Sequence, residues 1–363
     1  MSINVNSCLE RWTDRLQAAS ADRTRLCLRG SGSKDFYGQS LTGELFDTRE
    51  YSGIVAYEPT ELVVTARCGT PLAELEEALA EKGQSLSFEP PHFGTGATVG
   101  GCVASGLSGP RRAQAGALRD FVLGVKILNG QGELLSFGGQ VMKNVAGYDV
   151  SRLMAGSLGT LGLIVEVSLK VLPVAVAERT LLFELAQDKA LDLLNRWGGQ
   201  PLPISASAWR ENILHIRLSG ATAAVSSACR TLGGQMLAPD EAMPFWVGLR
   251  EQRHAFFDGD APLWRVSVPS TSAVLDLPGA QLVEWGGALR WLRGGASLTD
   301  QAVRPVAEQV GGHATLFRAD ETKKAEFGVF QPLAAPLARI QKNLKQAFDP
   351  QGIFNPGRMY SEF

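Results

Sequence analysis

The sequence predicts an α+β protein built in more than one unit, and three observations carry that prediction. The chain has 363 residues, against roughly 150 for an ordinary domain. Strand-like and helix-like periodicities are interleaved along it. Beyond Pro173 the signals fall in the order β-α-β-β-α, the order of a split βαβ unit whose helices cover one face of an antiparallel sheet. Composition agrees: 45% hydrophobic and 20% charged residues provide a core and too little charge for disorder.

Taken in order, the chain opens on a helix. Ser7 and Glu10 have capping-box spacing, and Leu9, Trp12 and Leu16 share one face. A short strand over residues 25–28 runs into Arg29-Gly30-Ser31-Gly32-Ser33-Lys34, and strands follow over 53–57 and 61–68. The next helix has Thr70 as cap, Pro71 at its first position, Leu72, Leu75 and Leu79 along one side, and Gly83 at its stop. After a glycine-rich stretch come strands over 122–128 and 133–137, joined by the turn Asn129-Gly130. Leu163, Val165, Val167, Leu169 and Val171 alternate as in a half-buried strand. Past Pro173, strand signals cover 180–185, 204–209 and 213–218, and helix signals 191–197 and 223–232. A last helix carries Leu333, Leu337, Ile340 and Leu344 and ends at Asp349-Pro350; the tail over 352–357 reads as a compact turn. No internal repeat is visible in the sequence.

Several function classes are excluded. A net charge of −2 lacks the basic surplus of a nucleic-acid protein. Cys8, Cys27, Cys68, Cys102 and Cys229 are odd in number and scattered, which argues against a disulfide framework, a zinc knuckle or an iron–sulfur ligand set. His92, His215, His254 and His313 have no metal-ligand spacing, so no metal site is expected. The first twenty residues hold Arg11, Asp14 and Arg15 and no apolar run, so no secretory signal is expected. Residues 90–110 lack Asp, Glu, Lys and Arg, yet their prolines and glycines suit no membrane span. A cytoplasmic enzyme or enzyme subunit is expected.

Glycine is the informative excess: 40 residues, about 11% against a norm of about 7%. In Arg29–Lys34 small residues let successive N–H groups converge on an anion, with Arg29 and Lys34 adding charge; a simple tight turn fits the same run. It is no Rossmann fingerprint, because position 35 is Asp35, and no Walker loop. The run from Pro90 to Gly109 costs conformational entropy, which backbone lying flat against an extended aromatic ligand would explain. A third run joins Lys143–Asp149 to Gly156–Gly162, just before the alternating strand.

The order of these segments resembles the vanillyl-alcohol-oxidase (PCMH-type) FAD-binding family. The matching pieces are Arg29–Lys34, Thr98-Val99-Gly100-Gly101, Arg119-Asp120 with Leu123-Gly124, Lys143–Asp149, Gly156–Gly162 and the tail from Asp349 to Gly357. Within it the chain is most similar to glycolate oxidase subunits of the GlcE type, on its length and on Gly106-Leu-Ser-Gly-Pro-Arg-Arg112 before Gly116-Ala-Leu-Arg-Asp120. The resemblance implies an FAD domain of two α+β sub-domains over 1–173, a smaller α+β cap over 174–325 with a split-βαβ antiparallel sheet, and a segment over 326–363 returning to the FAD domain. It implies that Arg29, Gly30, Ser31, Gly32, Ser33, Lys34, Thr98, Val99, Gly100 and Gly101 cradle the pyrophosphate. Ser105, Gly106, Gly109, Arg111 and Asp120 would border the ribityl chain and ring, with Pro90, Gly162, Ile164, Val165 and Asn355 also contacting FAD.

The family pattern also breaks. Relatives acting on D-2-hydroxy acids carry a His-x-Gly-Asp-Gly-Asn-x-His motif, and the nearest echo here is Asn212-Ile-Leu-His215. His215 and His313 therefore read as structural. The first glycine loop has no histidine, so the resemblance implies non-covalent FAD; His92 reads as loop packing and Cys102 as a small buried residue. Arg111 and Arg112 are candidate catalytic residues that can contact the flavin or a carboxylate, pair with acids of a partner, or be a solvated turn. Lys143 and Tyr148 can position the ring or anchor a turn. Trp197, Trp209, Trp246, Trp264, Trp285 and Trp291 read as cap core and interface, and with the two arginines suggest an aromatic surface for assembly. The expected function is an FAD-dependent oxidoreductase subunit of a multi-subunit glycolate (2-hydroxy acid) oxidase. It would relay electrons between a larger flavin subunit and an iron–sulfur subunit, peripheral to the inner face of a membrane. A stand-alone flavin oxidoreductase and a structural FAD-holding subunit are the alternatives.

Overall fold

The computed structural model describes residues 5–139, 149–295 and 297–362. The first region contains α1 (Val5–Asp22), β1 (Leu26–Arg29), β2 (Glu44–Asp47), β3 (Ile54–Glu58), β4 (Val63–Arg67), α2 (Leu72–Ala80) and β5 (Gln84–Ser85). It continues with α3 (Val99–Ser105), α4 (Arg112–Ala115), β6 (Val122–Leu128), β7 (Leu134–Gly138), α5 (Val150–Met154), β8 (Leu163–Lys170) and β9 (Leu172–Pro173). Strands order as β3-β4-β8-β6-β7 in an antiparallel sheet, beside the parallel pair β1-β2 and the short pair β5-β9.

Four local expectations are corrected. Helix α1 already runs at Val5, so Ser7 lies inside it instead of capping it; its buried face is Cys8, Trp12, Leu16 and Ala19. Thr70 does not cap α2. Its hydroxyl bonds the main chain of Gly53, accepting from N and donating to O, and Pro71 is the uncharged N-cap. The β6–β7 hairpin pairs Leu128 with Leu134, so the connection is longer than the Asn-Gly pair. Asn129 Oδ1 holds it by accepting from the N–H groups of Gln131 and Glu133. Strand β8 is buried on both faces instead of one, because it is central. Its second row carries Glu166, which meets Lys126 at 2.8 Å and accepts from the Tyr51 hydroxyl, and Ser168, bonded to Thr65 at 2.8 Å. These partners meet the desolvation cost of burying polar groups.

The second region contains β10 (Ala177–Glu184), α6 (Gln187–Gly198), β11 (Ile204–Arg210), β12 (Ile213–Gly220), α7 (Thr222–Leu232), β13 (Gln235–Leu237) and α8 (Pro239–Arg250). Then come β14 (Leu263–Ser267), β15 (Ala280–Glu284), β16 (Leu289–Arg293), α9 (Asp300–Gln309) and β17 (His313–Arg318). One eight-stranded sheet results, β13-β10-β12-β11-β15-β16-β14-β17, antiparallel at every pair. The β-α-β-β-α order is present in its first half. The sheet is also a repeat that the sequence does not reveal. Numbered within each half, the strands run 4-1-3-2 and then 2-3-1-4, meeting where Ala208 pairs Glu284 and Trp209 pairs Val283. The first half places α6 between its first two strands. The second half has an irregular stretch there, pinned by Arg290, which is fully buried and donates to the carbonyls of Ser272, Ala273 and Gly287.

Apolar packing joins the regions. Tyr37, Leu107 and Leu158 share a cluster with Trp246, Trp285, Trp291 and Phe317. All six tryptophans of the second region are buried, at most 9% exposed, which removes the expected aromatic docking surface. Finally α10 (Glu321–Phe327) and α11 (Ala335–Phe348) lead the chain back. The tail bonds β1 through Leu26 N to Ile353 O and Asn355 N to Leu26 O. Buried Lys345 fixes the turn, donating to Asp349, Thr160 O and Phe354 O. Among the described residues no helix is long and apolar enough to cross a membrane.

Candidate cofactor-binding site

Where β1 ends, Arg29–Lys34 lines a groove completed by Thr98, Gly101, Ala104 and Ser105 of the second glycine segment, Leu158 of the third, and Asn355 and Arg358 of the tail. It continues past Cys68, Gly100, Gly159, Gly162 and Ile164. The two glycine segments touch: a Cβ on Gly30 would lie 2.4 Å from Thr98 Oγ1. Gly32 adopts φ +80°, the left-handed region that suits glycine. Among the described residues the N–H groups of Ser31, Gly32 and Lys34 find no protein acceptor. Lys34 donates to His92 O and the Ser33 hydroxyl and among the described residues has no carboxylate in ion-pair contact, and burial holds its ammonium below the usual lysine value. Unsatisfied amides beside an unpaired ammonium make an anion cradle.

Helix α3 is capped by Thr98, whose hydroxyl accepts from Gly101 N at 3.2 Å. The N–H groups of Val99 and Gly100 are spent on Thr70 O and Cys68 O, so this turn offers space more than donors. Gly100 must be glycine for the protein's own packing, since its Cβ would lie 2.7 Å from that of Cys68. Gly101 is different: a Cβ there would meet only Thr98 Oγ1, at 3.2 Å. It faces the groove and leaves room in it. That open side is the observation an FAD diphosphate fits, because a backbone without a side chain can approach the ligand closely.

Of the residues expected to contact FAD, Arg29, Gly30, Ser31, Gly32, Ser33, Lys34, Thr98, Gly100, Gly101, Ser105, Gly162, Ile164 and Asn355 line this groove. Arg29 is turned onto Asp35, at 2.6 Å, within its own loop. Val99 and Val165 are core, and Pro90 is buried outside the groove. Gly106 has φ +64° and packs on Gly156, while Asp120 accepts from Ala117 N. Gly109 borders a second chamber against the eight-stranded sheet.

Arg111 lines neither space. Its main-chain N donates to Glu89, and its guanidinium lies 3.4 Å from Glu89 and 3.0 Å from Glu178. Arg217, 4% exposed, closes that cluster at 2.8 Å from Glu89. Arg111 is thus an ion-pair residue between the two regions of its own chain, an arrangement the sequence reading did not include. Arg112 stands 4.4 Å from the ring centre of Trp285. His92 directs its ring to Glu76 at 2.9 Å. His215 stacks on Phe245 at 3.9 Å, and His313 is exposed. Lys143 and Tyr148 lie outside the described residues. Among the described residues no group of His, Cys, Asp or Glu could hold a metal ion.

Sequence reasoning missed Arg358, and it assigned no contact to Leu158 or Gly159, although both lie in the Gly156–Gly162 run it singled out. Leu158 has φ +52° and its carbonyl accepts from Asn355 Nδ2. Arg358 donates to the carbonyls of Asp35, Tyr37 and Gln39, bracing the first glycine loop from behind. An arginine one residue beyond the tail's expected turn gave no signal of that contact.

Comparison with known proteins agrees with this geometry. A family model described as an FAD binding domain matches residues 10–138. The chain is 50% identical over 349 residues to glycolate oxidase subunit GlcE of Escherichia coli (strain K12), covering 96% of each. It is 30% identical over 169 residues to glycolate oxidase subunit GlcD of Bacillus subtilis (strain 168), covering 46% of this chain and 36% of that one. A solved structure of alkyldihydroxyacetonephosphate synthase has the same fold: TM-score 0.66 at 14% identity, over 95% of this chain and 74% of that one.

Proposed function

The chain belongs to the GlcE family of glycolate oxidase subunits, FAD-linked oxidoreductases, and on that premise we propose that it is the electron-relaying FAD subunit of a multi-subunit oxidase of glycolate and related 2-hydroxy acids. The observation that carries the reading is the groove: free amides and an unpaired lysine at one end, and a glycine the packing does not require. Ser31, Gly32 and Lys34 bind the diphosphate through main-chain N–H groups and the ammonium. Thr98 and Gly101 let it approach α3. The segment from Ser105 to Gly109, which runs from this groove to the chamber on its other side, would border the flavin ring. FAD, once bound, supplies the redox chemistry; the protein's residues fix its place and exclude water.

The cofactor is held without a covalent bond. Support comes from the lining, which among the described residues contains no histidine and whose cysteine, Cys68, is buried. The working division is residues 1–173 for FAD, 174–325 for the cap and 326–363 for the returning segment. Partners are a larger flavin subunit that oxidises the hydroxy acid and an iron–sulfur subunit, through which the complex meets the membrane's inner face from the cytoplasm. The test is the absorption spectrum of the purified chain before and after acid precipitation. Flavin released to the supernatant is the expected result; flavin retained in the pellet overturns the non-covalent reading, and a colourless chain overturns the FAD assignment. Co-purification from native extract, with turnover on an artificial acceptor, tests the relay. A partner-free monomer with full glycolate-oxidising activity overturns it.

A further inference from the structure

One acid of the second region holds a turn of the second glycine segment, His92-Phe93. Glu251 follows α8 directly and is 7% exposed. A carboxylate at a helix C-terminus faces the negative end of the macrodipole, and burying it adds a desolvation cost. Its contacts offset both. Glu251 Oε2 accepts from Phe93 N at 2.8 Å and from His92 N at 3.1 Å, and Oε1 accepts from Arg250 Nε at 2.8 Å. Phe93 has φ +54°. A bulky residue held there is strained, and such strain persists where surrounding structure over-determines it. The two bonds to Glu251 supply that constraint.

The other side of the same turn belongs to the anion cradle. Lys34 Nζ donates to His92 O at 3.2 Å and lies 5.7 Å from the centre of the Phe93 ring. Among the described residues its other hydrogen bond, to the Ser33 hydroxyl at 3.4 Å, stays within its own loop. The contacts that fix the ammonium from outside that loop therefore come from residues 92 and 93. One peptide group joins the two charges. Its N–H, on Phe93, donates to Glu251, and its C=O, on His92, accepts from Lys34. A trans peptide points these groups in opposite directions, so it spans the gap between carboxylate and ammonium. Hydrogen bonds in such a chain polarise one another, and the carboxylate makes the carbonyl a better acceptor. The His92 ring takes no part, since its Nε2 pairs with Glu76. Glu251 itself lines neither the groove nor the chamber.

We propose that Glu251 is a positioning residue for the cofactor site: through the His92–Phe93 peptide it holds the Lys34 ammonium where the diphosphate binds. The proposal rests on the FAD reading above and adds the second region to that site. Without Glu251 the N–H groups of His92 and Phe93 lose their acceptor and Phe93 loses the bonds that keep it left-handed. The peptide then turns, and its carbonyl leaves Lys34. A lysine released from such a contact regains many rotamers, and fixing the ammonium again on binding the ligand costs that freedom. Affinity for a diphosphate falls while the lining of the groove is unchanged.

The experiment is calorimetric titration of the flavin-free chain with FAD and with ADP. It compares the native protein, Lys34→Met, Glu251→Ala, Glu251→Gln and the double variant Lys34→Met/Glu251→Ala. A hydrogen bond to a charged group is worth about a tenfold change in affinity, and each of Lys34→Met and Glu251→Ala should weaken both ligands by about that factor. Because Glu251 acts through Lys34, the double variant should bind within about twofold of Lys34→Met, whereas independent effects multiply. Glu251→Gln keeps an oxygen for both N–H groups and should recover affinity close to native. The melting temperature of each variant reads its folding. If Glu251→Ala does not fold, Glu251→Asp, one methylene shorter and still charged, takes its place in the cycle. A lowered melting temperature with unchanged affinity makes Glu251 merely structural and overturns the proposal. Effects that multiply in the double variant overturn it, as does failure of Glu251→Gln to recover affinity. If the native chain binds ADP and no FAD, the functional reading fails while the ADP cycle still decides the role of Glu251; if it binds neither, both fall.

Discussion

In the first region the groove is lined largely by main chain and small side chains, Gly30, Gly32, Gly101, Gly159 and Gly162 among them, with Arg29, Lys34 and Arg358 at one end. In the second region the chamber is lined by rings and charged heads. The two surfaces are built by opposite means. A backbone site works by what is missing, so it is broken by adding atoms. A side-chain site works by placed charge, so it is broken by deleting a head. Between them lies a seam, the Glu89–Arg111–Arg217–Glu178 cluster, which ties the two regions by charge beside the apolar packing of Tyr37, Leu107 and Leu158 on Trp285 and Phe317.

The largest effect is therefore expected from an addition. Gly101→Asp puts bulk and negative charge where the diphosphate approaches, while the space around that Cβ is open apart from the Thr98 hydroxyl. FAD should be lost with melting behaviour of the apo-protein largely retained. By contrast Gly100→Ala should damage folding, because its Cβ would press on Cys68 at 2.7 Å. The ratio of flavin to protein absorbance, beside circular dichroism, separates the two. Full flavin occupancy in Gly101→Asp removes the placement.

Next comes the seam. Glu89→Ala leaves Arg217 buried with only Glu178 near, 3.9 Å away. Removing one partner of a buried pair costs about 3 kcal/mol, read as a lowered denaturant midpoint. Burial raises the Glu89 pKa, but Arg217 and then Arg111 outweigh it, and the carboxyl is held below its ordinary 4.5. A depressed carboxyl contributes stability above its unfolded value and loses it as pH falls through the folded one. The native chain should lose stability below about pH 4.5, and Glu89→Gln should lose less over the same interval. Equal acid sensitivity of both would show that the seam does not depend on this carboxylate. A smaller loss is expected from Asn355→Ala, which orphans Leu28 N and Leu158 O. Unsatisfied buried groups cost about 1–3 kcal/mol, and flavin affinity should fall with stability because Asn355 also lines the groove. Loss of neither would detach the tail from the site.

The same contrast explains what the sequence made legible. The glycine segments were readable because their requirement is local: Gly32 needs its φ, and Gly30 and Gly100 need close approach. The split-βαβ order was readable because strand and helix periodicities differ over a few residues. The doubling of the sheet was not, since strand order is set by pairings such as Ala208 with Glu284 that the chain brings together from far apart. Glu251 was hidden for a related reason: it reads as one acid at the end of a helix, and residues 92 and 93 meet it from far away in the chain. Thr70 shows a competing local partner defeating a capping rule, and the buried tryptophans show that aromatic content does not distinguish core from interface. Arg111 was singled out correctly as unusual, but its acids, Glu89 and Glu178, lie on opposite sides of the seam.

The smallest effect should come from the histidines, and it sharpens the comparison by testing a side chain that belongs to neither surface. His215 lies on β12, stacked nearly parallel to Phe245 and away from both the groove and the chamber. Burial, with His254 beside it, pushes its imidazole down to about 4. At neutral pH it is an uncharged flat ring, and its role is the stack. His215→Phe preserves that stack and should leave flavin content, melting temperature and whole-complex turnover within error of native. His313→Ala, at an exposed strand start, should change stability by no more than about 0.5 kcal/mol. A hundredfold fall in kcat, about 2.7 kcal/mol of transition-state stabilisation, with folding and flavin intact in either variant, would place a functional surface on this sheet and end the division drawn here.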